Sequence, residues 1–329
     1  MDGLPATLIE AIQYYSDPAI CRNQLAAMRW PDGVTCPRCG CQRVTFMVSV
    51  DRWNCKGCRK QFSVKVGTIF EDSPIGLHKW FAALWLIANA KNGISSCEVS
   101  RALGITQKSA WFVLHRIRLA MQSGTIEKQE GTFEVDETFV GGLEKNKHKS
   151  KKQNAGRGSV GKTIVFGVLQ RGNGTKDATG RRLRSEERIY SQVQATVIRD
   201  TSHITLQTEI AARVKAGSEV FSDSHRGYNG LADSYIHAFV DHAVEYAEGR
   251  ITTNGIENFW SLFDRIVHGT YIKPEPQHLF RYVDEQTFRF NQRGGTDLTR
   301  FLQTLHQVSG KRLTFDELTT GHLQYIVPK

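Results

Sequence analysis

The stretch TFEVDETFVGG, residues 132–142, is a run of strand-forming residues with three carboxylates set into it. A strand packed among apolar neighbours tolerates Glu134, Asp136 and Glu137 so close together only if something offsets their charge. With a two-residue period, Glu134, Asp136 and Thr138 share one face, and Phe133, Val135 and Phe139 share the other. Glu137 falls on the apolar side, so the strand is expected to twist out or end there.

Outward from this strand the pattern is that of a mixed α/β domain. A polar stretch, 122–131, precedes it and a long basic loop, about 143–162, follows. Then come the strand TIVFGVLQ (163–170), a glycine-rich turn and the strand RIYSQVQA (188–195). A helix is expected over about 203–215, and a strand over SEVFSDS (218–224). A stretch of mixed character (225–250) leads to a helix from Asn254 to about His268. Three consecutive strands, a helix, another strand and a closing helix make a mixed sheet with helices packed on it.

Two further carboxylates belong with Asp136. Asp223 stands where an apolar strand runs into a polar, glycine-containing turn. Glu257 lies on the polar flank of a helix whose buried stripe is Ile256, Phe259, Trp260, Phe263, Ile266 and Val267. Each has an ordinary alternative: a sheet-face acid paired with a lysine, an Asx turn, and the capping-box partner of Asn254. Together they are a first strand, the end of a later strand and a following helix, each offering an acid. Three such groups converging repel one another unless divalent cations lie between them. Two magnesium or manganese ions about 3.5–4 Å apart suit hard oxygen ligands and phosphodiester chemistry.

The rest of the chain supports a nucleic-acid partner. Its 329 residues carry a formal net charge of +10, which favours an anionic partner, DNA ahead of an acidic membrane surface. No apolar run reaches spanning length and no leader is evident, so a soluble, intracellular protein is expected. Cys36, Cys39, Cys55 and Cys58 form C-x2-C, fifteen residues, C-x2-C, the spacing of a zinc ribbon holding one structural zinc. From about residue 76 helical periodicity takes over. Ser95 and Glu98 have capping-box spacing, Gly104 ends a short helix, and Thr106 opens the next. This is a helix-turn-helix pattern, or a plain helical hairpin with a basic face. In the first reading Gln107, Lys108, Ser109 and, further back, Arg116 and Arg118 would meet DNA.

One motif misleads. GRGSVGKT, Gly156–Thr163, satisfies the phosphate-loop pattern, yet a basic loop precedes it and the β-branched run TIVFGV follows. A phosphate loop needs a strand before it and a helix N-terminus after it. The stretch reads instead as a basic loop whose Lys149, Lys151, Lys152, Arg157 and Lys162 can settle on a DNA backbone.

The order Asp136-Glu-Thr-x-x-Gly-Gly, Asp223-Ser-His-x-Gly-Tyr, Asn254-x-x-Glu257-Asn-Phe-Trp-Ser resembles the DDE transposases of IS1595-type (ISXO2-like) insertion sequences. Residues 269–293 resemble that family's closing helix, and the zinc ribbon and helix-turn-helix fit its N-terminal part. The resemblance implies a ribonuclease-H-like, mixed-sheet α/β catalytic domain preceded by a zinc ribbon and a helix-turn-helix. It implies segments of 1–70 (zinc ribbon, Cys36 to Cys58), 71–125 (helix-turn-helix), 130–295 (catalytic) and 296–329 (C-terminal tail). It also implies binding of terminal inverted repeats, two-metal cleavage, and joining of the 3′-hydroxyl ends to target DNA by a homodimer or larger synaptic assembly. Asp136 and Asp223 are then the two aspartates. Glu257 is the third ligand, with Asn254 competing for that role, and an anionic oxygen favours the glutamate. His225 could approach the phosphate. Relatives often place a lysine seven residues after the glutamate, where this chain has Asp264 followed by Arg265. The competing class is a sequence-specific DNA-binding regulator with an inactive transposase-like domain, which would not need the three acids.

Overall fold

The computed structural model describes residues 3–122, 127–141, 161–177, 179–240 and 251–320. They fall into two compact units, one running to Gln122 and resuming at Gly295, the other lying between Ser123 and Gly294.

The first unit opens with α1 (Leu8–Tyr14) and α2 (Pro18–Arg29), begun by side-chain caps from Thr7 and Asp17. A small antiparallel sheet follows, β1 (Val44–Met47), β2 (Arg52–Cys55) and β3 (Gln61–Phe62), in that order. Its apolar content is slight: Trp53 stacks on Phe62 at 5.9 Å, with Trp30 edge-on at 5.8 Å. The helix α3 (Leu77–Asn89) is buried along most of its circumference, with Trp80, Phe81, Leu84, Trp85 and Ile87 in the core. Then α4 (Ser96–Leu103) begins at the Ser95/Glu98 capping box and ends at Gly104, whose φ of 59° is the left-handed C-cap that glycine adopts without strain. Thr106 caps α5 (Gln107–Met121) through the Ser109 amide.

The second unit is a five-stranded mixed sheet covered on both faces. Its strands are β4 (Thr132–Val140), β5 (Thr163–Gln170), β6 (Gln192–Ile198), β7 (Glu219–Asp223) and β8 (Ile236–Val240). Their order across the sheet is β6-β5-β4-β7-β8, with β4–β5–β6 antiparallel and β4–β7–β8 parallel. Between β6 and β7 lies α6 (His203–Arg213); after β8 come α7 (Asn254–Ile266), a π-helical turn (Val267–Tyr271) and α8 (Leu279–Asn291). One face packs Phe133, Val135, Phe166 and Val168 on Leu206 and Ile210 of α6. The other packs Val165, Leu169 and Val193 on Ile256, Phe259, Phe263 and Val283. The third strand begins four residues later, and ends three later, than its sequence suggests. The last, β8, sits inside the stretch read only as mixed.

From Gly295 the chain rejoins the first unit with α9 (Asp297–His306) and α10 (Phe315–Thr320). Phe301 is fully buried between Tyr15, Phe81 and Trp85. The described part of the stretch taken as a C-terminal tail thus belongs to that unit's core. Among the described residues no helix is long and apolar enough to cross a membrane.

Candidate active site

The three carboxylates of β4 meet three different surroundings. Glu134 is 3% exposed and accepts from Arg171 Nε at 2.6 Å and from the Ile256 amide at 2.9 Å. Glu137 does not end the strand. It stays in β4 on the Phe133 face, and the buried Tyr228 hydroxyl donates to its Oε2 at 2.5 Å. Burial raises the proton affinity of Glu137, and the Tyr228 hydroxyl draws it back in part. Among the described residues, Asp136 has neither an arginine nor a tyrosine against it.

Strand pairing sets Asp136 and Asp223 on one face. Glu134 of β4 pairs with Phe221 of β7 in parallel register. Two residues further along both strands, Asp136 comes level with Asp223, the last residue of β7. On its other side Asp136 pairs with Gly167 of β5. A Cβ at that glycine would stand 2.7 Å from Trp260 Cζ2, so α7 rests directly on the sheet beside Asp136. Glu257 is one helical turn before Trp260, and the Thr253 hydroxyl donates to its Oε1 at 2.7 Å. The charge of Glu257 reaches Asp136, as do those of Glu137 and Asp223.

Burial and then these negative neighbours lift the Asp136 carboxyl to about 8. Held near 4 in the unfolded chain and about 8 in the fold, it binds its proton more tightly when folded. The stability it contributes is complete at low pH and is lost as pH climbs through that window. Asp136→Asn is therefore expected to be more stable than the parent at pH 8 by a few kcal/mol, each tenfold in proton affinity being worth about 1.4 kcal/mol. At pH 4 the two should be nearly equal. Urea denaturation without added divalent cations measures this, and a difference independent of pH would contradict it.

Asp223 Oδ1 accepts the His225 amide at 3.0 Å, so the Asx turn is formed. His225 Nδ1 lies 3.8 Å from Glu137 Oε1 and 3.1 Å from the Gly227 amide, which donates to it. Asn254 is the exposed first residue of α7, its amide held by Thr252 Oγ1 at 3.1 Å. The Asn254–Glu257 capping box is not formed; Glu257 bonds Thr253 instead. Asp264 and Arg265 are both exposed near the end of α7.

Among the described residues, one set of three or more possible ligands has all its donor atoms within 4.8 Å of each other: Cys36, Cys39, Cys55 and Cys58. No disulfide joins them. Their Sγ pairs 36–58 and 39–55 stand 3.8 and 3.6 Å apart, and four sulfurs at about 2.3 Å from a tetrahedral zinc would be about 3.8 Å apart. The Gly57 amide donates to Cys55 Sγ at 3.3 Å. The Cys36 thiol is drawn down to about 7, burial being outweighed by the Arg38 and Cys39 amides and the neighbouring thiols. The quartet fits a structural zinc. Asp136, Asp223 and Glu257 do not form such a set among the described residues, although the charges of Asp223 and Glu257 act on Asp136.

On the α4–α5 pair, Gln107 and Lys108 are exposed, Gln107 donating to Ser96 Oγ at 2.8 Å and Lys108 lying 4.7 Å over the Phe315 ring. Ser109 is partly buried against the Thr106 cap. Arg116 is a correction. It is 4% exposed, donating to the carbonyls of Leu313, Ile69 and Glu71 at 2.7–3.0 Å, so it ties the unit together and meets no DNA. Arg118 is buried as well. Lys162 is partly exposed, whereas Lys149, Lys151, Lys152 and Arg157 lie outside the described residues. Thr163 opens β5 rather than a helix, so the phosphate-loop pattern lacks the element it needs. Sequence reasoning gave no role to Arg171, Tyr228, Gly167 or Gly255. Glu134 was marked only as a charge needing a partner, and no spacing points to Arg171.

Comparison with known proteins gives a consistent picture. Residues 128–291 match the ISXO2-like transposase domain of IS1595 type, and residues 17–61 match the transposase zinc-ribbon domain. The chain is similar to an uncharacterized protein in transposable element ISH50 of Halobacterium salinarum, 26% identical over 257 residues, 74% of this chain and 81% of that one. It is also similar to an uncharacterized transposase-like protein of Haemophilus influenzae, 31% identical over 101 residues, 30% of this chain and 81% of that one.

Proposed function

The chain belongs to the IS1595 family of ISXO2-like transposases, and on that premise we propose that it cleaves DNA at element ends and joins the freed 3′-hydroxyls to target DNA. The observation that carries this reading is Asp136, a strand carboxylate level with Asp223 across β4 and β7, without a cationic partner among the described residues, whose proton affinity is raised by burial and by Glu137, Asp223 and Glu257. Such a cluster is costly unless a cation neutralises it. The strand order β6-β5-β4-β7-β8, with the middle strand carrying Asp136 and its parallel neighbour ending at Asp223, supports a ribonuclease-H-like core.

Two magnesium or manganese ions, when bound, would activate the attacking oxygen and stabilise the leaving one. Asp136, Asp223 and Glu257 would hold them, and Asn254 stands at the start of the same helix as the other candidate for the third position. The His225 ring, two residues after Asp223, is the candidate to approach a phosphate oxygen. Exposed Arg265 on α7 can meet the backbone further along. Gln107 and Lys108 open the second helix of the α4–α5 pair, where a helix-turn-helix places its base-reading residues. The zinc ribbon adds exposed Arg38, Arg43, Arg52, Lys56, Arg59 and Lys60 around its metal-binding knuckles. Joining two ends calls for at least two copies of the chain, acting on DNA in a bacterial-type nucleoid. The test is incubation of the purified full-length chain with DNA carrying the element ends, with and without magnesium. Metal-dependent nicking at the ends is expected; binding without nicking under every divalent cation would favour the regulator instead.

A further inference from the structure

The helix that carries Glu257 is held to the strand that carries Asp136 by a clamp outside the three acids. The first amides of a helix lack intrahelical partners and are usually met by the N-cap side chain. In α7 the N-cap is Thr253, whose side chain makes no capping bond. Its hydroxyl turns to Glu257 instead, at 2.7 Å. The vacated capping role falls to Glu134, which reaches from β4 to accept the Ile256 amide at 2.9 Å. Arg171, on the residue after β5, bridges the same junction, donating to Glu134 Oε1 at 2.6 Å and to the Thr252 carbonyl at 2.6 Å. Gly255 completes the fit, because a Cβ there would stand 2.7 Å from Glu134 Oε2.

Glu257 is the next residue after the clamped amide. Glu134 and Asp136 are two apart on one face of β4, so the clamp and the acid share a rigid element. On the far side of Glu257, Trp260 meets Gly167, the residue paired with Asp136. Glu257 is thus fixed from both directions along α7 relative to Asp136.

We propose that Glu134 is a positioning residue, joined to Arg171 and admitted by Gly255, that sets the Glu257 carboxylate against Asp136 so that the two share divalent cations. The inference rests on the metal-binding reading of the three acids. A merely structural ion pair would support the fold without affecting metal affinity in the folded protein.

Manganese affinity, read from the free-ion electron paramagnetic resonance signal, separates the two. The full-length zinc-loaded chain is compared with Glu134→Gln, Gly255→Ala, Glu257→Gln and the Glu134→Gln/Glu257→Gln pair. Each is first checked for a cooperative thermal transition. Glu134→Gln and Gly255→Ala are expected to weaken manganese binding at least about tenfold. The double variant should be no worse than Glu257→Gln alone, because both act through one carboxylate. Gly255→Ala keeps every charge, so it decides the matter should Glu134→Gln fail to fold. Parental affinity in folded Gly255→Ala or Glu134→Gln, with affinity lost in Glu257→Gln, would overturn the clamp and leave the active-site reading standing. Parental affinity in Glu257→Gln would overturn both.

Discussion

Asp136→Asn and Asp223→Asn are each expected to lower magnesium-dependent cleavage of end DNA by about a thousandfold while leaving end binding intact. Metal-assisted displacement draws several kcal/mol of transition-state stabilisation from its ions, at about 1.4 kcal/mol per decade of rate. Replacing a carboxylate by an amide keeps the shape and removes the charge that holds a hard cation. The substitutions lie in the second unit, whereas the α4–α5 and zinc-ribbon residues offered for end binding lie in the first. Mobility-shift titration and cleavage of the same labelled duplex check both halves. A variant that still cuts at a tenth of the parental rate would remove that aspartate from the proposed site.

Loss of the zinc-binding thiols should have the largest effect on folding. The sheet β1–β3 has strands of four, four and two residues, too few to stand alone in water. Structural zinc in small modules contributes about 10–16 kcal/mol of apparent binding energy at neutral pH. Cys36→Ser with Cys55→Ser is therefore expected to release the metal and open residues 36–62 to limited proteolysis. Zinc analysis should give one ion per parental chain and none in the double variant. An unchanged proteolytic pattern after metal loss would mean that the cysteines are packing residues only.

The sequence was most legible where a local rule operates alone. The bounds of β4 and β5 follow from alternation and β-branched runs, and α4 and α5 follow from the Ser95/Glu98 box, Gly104 and Thr106. The cysteine spacing reported the quartet because a knuckle is a local structure. Where partners are distant in the chain, reading failed. Arg116 has helical spacing suited to a basic face, but its ligands are carbonyls at residues 69, 71 and 313. Nothing near Arg116 in sequence announces them. The strand β8 was missed because it is short and leaves Ile236 and Phe239 more than half exposed, so its pattern is not that of a half-buried strand. Glu137 looked like a strand breaker until Tyr228, ninety-one residues away, supplied its hydrogen bond. The strand positions of Asp136 and Asp223 are legible from the same alternation. The clamp through Glu134 and Arg171 is not, since it depends on how a helix lies across a sheet.

Divalent cations gathered by Asp136, Asp223 and Glu257 are the centre of this account, and iron can locate them directly. Iron(II) substituted for magnesium in the zinc-loaded chain, with ascorbate and peroxide, generates radicals that cut the polypeptide nearest the ion. Fragments ending near residues 136, 223 and 257, all suppressed by excess magnesium, are the predicted result. Cuts at only one of these places, or cuts that magnesium does not suppress, would contradict it.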